Sequence, residues 1–243
     1  TKNTTKGAYI KWGKLSGASK YYIYRRSITG STWTRVGSVS SSKDSFTDTS
    51  VKNKNVNYIY TVKAINKKGT ASRYLYSGLT CLFAKTPEMK SIAVTYNNAI
   101  EIKWESTSSK AKYNIMRKEG DGSWKTIKSN YSGTSYKDTT AKSGKKYTYS
   151  VKAVLSTSYG KATSSYYSNS DMAVTYLRMP TLKEAVAVEN GVNISWYTVS
   201  GAKGYTILRK NSDGSTGWSS VGKVQADVTS FVDESANIET GYI

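Results

Sequence analysis

Apolar and polar residues alternate along much of this chain with a period of two, the pattern of strands whose sheet has one buried face. Ala8, Ile10 and Trp12 fall on one such face, and the same arrangement returns at Ile100, Ile102 and Trp104 and at Val192, Ile194 and Trp196. Each stretch leads into a second strand, Tyr21-Tyr22-Ile23-Tyr24-Arg25, Tyr113-Asn114-Ile115-Met116-Arg117 or Tyr205-Thr206-Ile207-Leu208-Arg209, with Tyr and Ile together on one side. A turn follows at Thr29-Gly30, Asp121-Gly122 or Asp213-Gly214, where glycine supplies the positive φ of a tight hairpin. Short strands and corners are then expected around Trp33 with Val36, Trp124 with Ile127 and Trp218 with Val221. More follow at Phe46-Thr47-Asp48, Tyr136-Lys137-Asp138 and Phe231-Val232-Asp233. A last clear strand alternates Tyr58, Tyr60, Val62 and Ala64 inward, matched by Tyr147, Tyr149, Val151 and Ala153, and the third copy reaches it only at Tyr242.

The copies keep register. Trp12, Trp104 and Trp196 are spaced by 92 residues at each step, as are Tyr21, Tyr113 and Tyr205 and again Arg25, Arg117 and Arg209. Looser matches at Trp33, Trp124 and Trp218, at Asp48, Asp138 and Asp233, and at Tyr58, Tyr147 and Tyr242 have spacings between 89 and 95. A fixed period of this kind marks a tandem array of one structural unit. The alternation turns Trp12, Trp104 and Trp196 inward, as core residues.

The inward Trp, the Tyr-x-Ile-x-Arg strand, the Asp turn and the run Gly144-Lys145-Lys146-Tyr147-Thr148-Tyr149-Ser150-Val151-Lys152-Ala153 resemble the fibronectin type III superfamily. The likeness is to tandem modules of secreted and wall-associated proteins of Gram-positive bacteria, and it covers nearly the whole chain. It implies an all-β fold of three tandem fibronectin type III-like β-sandwiches. It also implies a structural tyrosine corner at Tyr58, Tyr147 and Tyr242, with the hydroxyl bonded to nearby backbone. Asn55 stands where the second copy has Gly144, so the first copy's corner loop departs from the pattern. Pro87 and Pro180, the two prolines, each precede a copy's first strand, as short stiff linkers would. Modules are therefore expected at 1–86, 87–179 and 180–243. The first would lack most of its opening strand and the third its last two, so the chain reads as part of a longer array.

Charge changes the picture where the pattern repeats. Lys and Arg number 36 against 16 Asp and Glu, a net +20, while 37% hydrophobic content is enough to bury a core. By module the balance runs from 16 basic and 2 acidic residues (+14), through 15 and 7 (+8), to 5 and 7 (−2). A field polarised in this way concentrates polyanions at one end and makes their binding sensitive to salt. Tyr22 and Tyr24 occupy the face opposite Tyr21 and Ile23, next to Arg25 and Arg26. With Arg35 these residues form the candidate partner-binding set. Tyr74, Tyr76, Tyr166 and Tyr167 are further exposed aromatics that could stack on sugar rings.

Catalytic chemistry has little to stand on. The chain has no His, which removes the commonest base for a nucleophilic Ser or Cys, and the single Cys81 forms no internal disulfide. The recurring Asp48, Asp138 and Asp233 come one to a module without a recurring acidic partner, so a turn or corner hydrogen bond is their reading. Glu101, Glu105, Glu119 and Asp121 fit no calcium-loop spacing. We therefore expect no catalytic residue, cofactor or metal site. No apolar stretch is long enough to span a bilayer, and no signature of specific nucleic-acid binding is present. The resemblance implies extracellular spacer or binding modules of a secreted or cell-wall associated protein. The expected partner is an anionic cell-wall polymer, a polysaccharide or a host surface protein. A dedicated adhesin and the accessory modules of a secreted hydrolase are the alternatives.

Overall fold

The computed structural model describes residues 1–237 and 239–243. Chains rich in Tyr, Val, Ile and Thr at alternating positions gain most by pairing extended segments and burying one face. The first repeat does so through β1 (Lys2–Thr4), β2 (Gly7–Lys11), β3 (Lys20–Ser27), β4 (Thr34–Ser40), β5 (Ser45–Asp48), β6 (Val56–Ile65) and β7 (Leu79–Phe83). The second runs through β8 (Met89–Thr95), β9 (Ala99–Trp104), β10 (Lys112–Glu119), β11 (Lys125–Tyr131), β12 (Ser135–Asp138), β13 (Lys145–Thr157), β14 (Gly160–Thr163) and β15 (Ala173–Tyr176). The third holds β16 (Leu182–Val188), β17 (Gly191–Trp196), β18 (Gly204–Arg209), β19 (Ser219–Gln225) and β20 (Ser230–Asp233).

In the first repeat β1-β2-β5 and β4-β3-β6-β7 form two antiparallel sheets. Ala8, Ile10, Ile23, Val51, Tyr60, Cys81 and Phe83 are buried between them, with Trp12 and Tyr58 packed against that cluster. The second repeat pairs β12-β9-β8 in one sheet and β11-β10-β13-β14 in another, where β15 also joins β13. In the third, β16-β17-β20 form one sheet and β18-β19 a two-stranded ribbon, with a single bridge from Asn211 to Tyr242. The fold is thus all-β, built of antiparallel sheets whose strands recur in the same order from repeat to repeat. The strands gather into two compact units, Thr1–Ile92 with Ile102–Tyr136 and Thr148–Ala173, and Ala93–Glu101 with Lys137–Tyr147 and Val174–Ile243.

The 92-residue register has a direct structural meaning. In every copy the Trp of one sheet meets the Tyr of the other edge-on or tilted, with centroids 5.4 Å apart for Trp12 and Tyr21, 5.5 Å for Trp104 and Tyr113, and 5.3 Å for Trp196 and Tyr205. Such geometry sets the positive ring edge against the negative face. Each of these tyrosines also accepts a backbone N–H from six residues back, Leu15 at 2.7 Å, Thr107 at 3.0 Å and Val199 at 2.8 Å, which closes the loop between the two strands. Trp104 and Trp196 are buried, and Trp12 is half-buried at the rim of its core.

A bulge recurs as well. Pairing slips by one residue between Ile23 and Tyr24, between Ile115 and Met116, and between Ile207 and Leu208, leaving Val36, Ile127 and Val221 as the extra residues of the facing strands. Bulges bend a strand and strengthen its twist, which lets the sheet wrap its core.

A candidate basic and aromatic binding face

On β3 the even positions point away from the core, so Tyr22, Tyr24 and Arg26 share the outer face of the four-stranded sheet. The odd ones, Tyr21 and Ile23, are buried. Across the ladder Tyr22 lies opposite Ser38 on β4 and Lys63 on β6, which brings further side chains onto the same face. Lys20 and Arg35 sit over the Tyr22 ring, 5.2 and 4.7 Å from its centroid. Lys63 lies between two rings, 5.6 Å from Tyr24 and 4.5 Å from Tyr74, and those two rings stack at 6.5 Å. Trp33 meets Tyr74 edge-on at 5.8 Å, and Arg26 lies 5.2 Å from Trp33 and 5.9 Å from Tyr76. Cations and rings thus alternate along the whole face.

Tyr74 and Tyr76 reach this face because the segment after β6 is tied down on it. Ser72 donates its N–H to Ala64 at 2.7 Å and its hydroxyl oxygen accepts the Ala64 N–H at 3.0 Å, while the Thr61 hydroxyl donates to the Leu75 carbonyl at 2.9 Å. The Arg26 guanidinium donates to the Gly30 carbonyl at 2.6 Å, which fixes it against the hairpin.

Arg25 belongs elsewhere. Its parity places it with Tyr21 and Ile23, and its Nη1 donates to Asp48 Oδ2 at 2.7 Å and to the Ser50 hydroxyl at 2.6 Å. Its guanidinium also lies 4.4 Å from the Tyr58 ring. Of the five expected partner-binding residues, Tyr22, Tyr24, Arg26 and Arg35 stand on the outer face, and Arg25 is taken up inside the module by a buried carboxylate. Lys20, Lys63, Trp33, Tyr74 and Tyr76 complete the face. Lys20 shares the parity of Tyr22, but Lys63 joins only through strand pairing 41 residues away in sequence, which composition and spacing do not reveal.

Of the three tyrosines expected at corners, Tyr147 and Tyr242 bond nearby backbone through the hydroxyl. Tyr147 is buried, and its hydroxyl accepts the Lys142 N–H at 3.0 Å; Tyr242 is half-buried and accepts the Asn237 N–H at 2.9 Å. Tyr58 is half-buried beneath Arg25, beside a loop that holds a 3-10 turn at Thr49–Val51.

Electrostatics favours anions here. The first repeat's two carboxylates are both engaged elsewhere, Asp44 with Lys11 at 3.4 Å and Asp48 with Arg25, and among the described residues none of Lys20, Arg26, Arg35 and Lys63 pairs with an acid. Lys20 first, and Arg35 after it, hold the Tyr22 phenol below its ordinary pKa. A ring quadrupole fixes a cation without neutralising it. The cations thus keep their charge, and Lys and Arg suit phosphate, sulfate or carboxylate through charge-assisted hydrogen bonds.

The same unit recurs in reduced form. Lys118 lies 5.8 Å from Trp124, Trp124 meets Tyr166 at 5.3 Å, and Lys152 lies 4.8 Å from Tyr166. In the third copy Lys210 lies 5.2 Å from Trp218. Arg26, Lys118 and Lys210 are themselves 92 residues apart. Among the described residues no three His, Cys, Asp or Glu side chains gather as metal ligands, and no helix is long and apolar enough to cross a membrane.

No protein-family profile and no curated protein matches this sequence. Among solved structures, the chain is similar to the FN1–FN3 domains of chicken CNTN1, with 15% identity, 96% of this chain and 85% of that chain covered, and a TM-score of 0.27. It is also similar to the chicken interferon gamma receptor alpha chain, with 12% identity, 72% and 94% of the two chains covered, and a TM-score of 0.38.

Proposed function

We propose that this chain is a non-catalytic, extracellular stretch of spacer and binding modules from a bacterial cell-surface or secreted protein, and that its first repeat holds to an anionic wall polymer. The observation that carries this reading is the outer face of β3, where Lys20, Arg26, Arg35 and Lys63 lie on aromatic rings and, among the described residues, pair with no acid. Rigidly held donors lose little freedom on binding. Weak sites repeated along a polymer add up through effective concentration, so a modest affinity at each contact suffices for retention.

The test is co-sedimentation of the full chain with purified cell walls carrying their anionic polymer, and with walls stripped of it. Binding should saturate on the charged walls, fall steeply between about 0.05 and 0.5 M salt, and vanish on stripped walls. The R26E/R35E/K63E variant should lose it while keeping the fold, because all three side chains stand on the outer face. Absence of saturable binding would leave a plain spacer. Binding that ignored both salt and charge reversal would indicate a glycan or protein adhesin instead.

A further inference from the structure

The linker that leaves the second repeat and enters the third is fastened by side chains rather than left to swing. Asn98, in the left-handed region at φ 52, accepts the Met179 N–H on its side-chain oxygen at 2.7 Å, and its own carbonyl accepts the Tyr176 hydroxyl at 2.9 Å. Ser143 accepts the Arg178 N–H at 3.0 Å and donates to the Ser200 carbonyl at 2.8 Å. Beside it Gly144 and Gly201, at φ +80 and +84, meet backbone to backbone, so closely that a Cβ on Gly201 would run into the Gly144 Cα. Both walls of this joint are therefore set before anything binds.

Between them lies a cleft of about 700 Å³. Lys142, Lys145 and Arg178 line it, hydroxyl groups such as those of Thr198 and Ser200 fill the gaps, and no Asp or Glu is among its lining residues. At its rim Tyr197 is 58% exposed, with Lys183 4.8 Å from its ring centroid. Lys142, Lys145 and Arg178 come from the second repeat, which carries 15 basic and 7 acidic residues, and Lys183 from the third. Convergent Lys and Arg donors suit a tetrahedral oxyanion, Arg through its planar fork and Lys as a point charge. Hydroxyl groups suit a polyol, and a Tyr face suits a sugar ring.

We propose that this cleft is a second binding site, for a phosphate-bearing sugar or polyol, independent of the outer face of the first repeat. The phosphate sits between Lys142 and Arg178, and the polyol lies against Thr198, Ser200 and Tyr197. The fixed joint makes the site preformed.

The experiment uses the full chain, with glycerol 3-phosphate as probe and neutral glycerol and glucuronate as controls, followed by calorimetry and by amide chemical shifts. Glycerol 3-phosphate should bind saturably and shift the amides of Ser143, Arg178 and Ser200, glycerol should not bind, and glucuronate should bind more weakly. The K142E/R178E variant should weaken binding by about tenfold or more, corresponding to loss of one or two charge-assisted hydrogen bonds. R26E/R35E should leave it unchanged, which separates this site from the wall-binding face. G201A keeps the net charge but forces the joint apart, so it should weaken binding too. The proposal fails if K142E/R178E binds as the parent does, or if the shifts spread over lysines throughout the chain. Equal affinity for glucuronate would overturn the phosphate assignment.

Discussion

Burying Asp48 strips its carboxylate of water, which by itself would raise its pKa, yet the net effect runs the other way. Ser50 donates both its N–H at 3.0 Å and its hydroxyl at 2.6 Å to Oδ1, while the Tyr60 hydroxyl and Arg25 each donate to Oδ2 at 2.7 Å. Together these hold Asp48 below the usual carboxylate range, and the Tyr60 phenol is pushed up, by burial and by the carboxylate it serves. Asp233 repeats the arrangement with Arg209 at 2.7 Å and Ser235 at 3.0 and 2.6 Å, and Asp138 accepts the N–H and hydroxyl of Thr140 at 2.9 and 2.7 Å. A carboxylate whose folded pKa is depressed contributes its stability above the unfolded pKa, near 3.9, and loses it as pH falls through the folded value. The first repeat should therefore weaken below about pH 4, and D48A should both remove that acid dependence and cost about 3 kcal/mol at neutral pH by stranding Arg25. Hydrogen exchange of the β3 and β6 amides at pH 7 and pH 3 measures both effects. Y60F removes one donor and keeps the ring, so a loss of about 1 kcal/mol is expected in the same assay. The parity of β3 was legible from Tyr21 and Ile23 and already separates Arg25 from Tyr22. Its partner was not, because Asp48 lies on β5 of the other sheet and period-two patterning says nothing of which strands face one another.

At the scale of the strand, the bulge in the first and third repeats lies beside a pairing of small and large residues. Gly37 on β4 lies under the Phe46 ring and Gly222 on β19 under Phe231, each so close that a Cβ would enter the ring. The second repeat carries Lys128 and Tyr136 at the matching places, so it solves the same packing differently. Alanine at position 37 adds volume where the core is already full. It should cost about 1–3 kcal/mol as Phe46 is displaced, whereas alanine at Gly13, which has open space around it, should cost little. Urea melts followed by tryptophan fluorescence distinguish the two variants. The strands themselves were legible because their alternation is regular and the copies agree. The segment from Asn66 to Ser77 was legible only in part: Tyr74 and Tyr76 stand out as exposed aromatics, but the bonds to Thr61 and Ala64 that lay Tyr74 onto the sheet do not show in the sequence. Half of the candidate face depends on that return, which explains why Tyr74 and Tyr76 could be named as exposed aromatics but not joined in advance to the β3 residues and Arg35.

The joint between the first and second repeats raises a question the modules cannot answer singly, namely whether an array with prolines in its linkers is held by stiff backbone or by specific bonds. Pro87 restricts only its own φ and the conformation of Thr86. Asn55, the residue that replaces the corner glycine, does more: its side-chain oxygen accepts the Lys85 N–H at 2.7 Å and its amide donates to the Thr107 carbonyl at 2.7 Å. Asn3 works at a second point, donating to the Leu82 carbonyl at 3.2 Å and to that of Thr163 at 2.9 Å. A small apolar cluster of Ala84, Leu155 and Ala162 with Leu82 lies alongside. The departure at Asn55 is thus a change of use, from a turn residue to a clasp, which a single sequence displays only as a broken pattern. If the clasps set the joint, N3A/N55A should loosen it without melting either sandwich, because neither side chain contributes to a module's apolar core. Spin labels placed on exposed positions of the first and second repeats, such as Lys14 and Lys110, should then give a broad distance distribution where the parent gives a narrow one, with the melting curve little changed. A narrow distribution retained in N3A/N55A would assign the stiffness to the linker backbone, and P87G would be the variant that broadens it. A spacer that presents a charged face to a polymer gains from the first arrangement, since a fixed joint keeps successive sites in register at no entropic cost on binding.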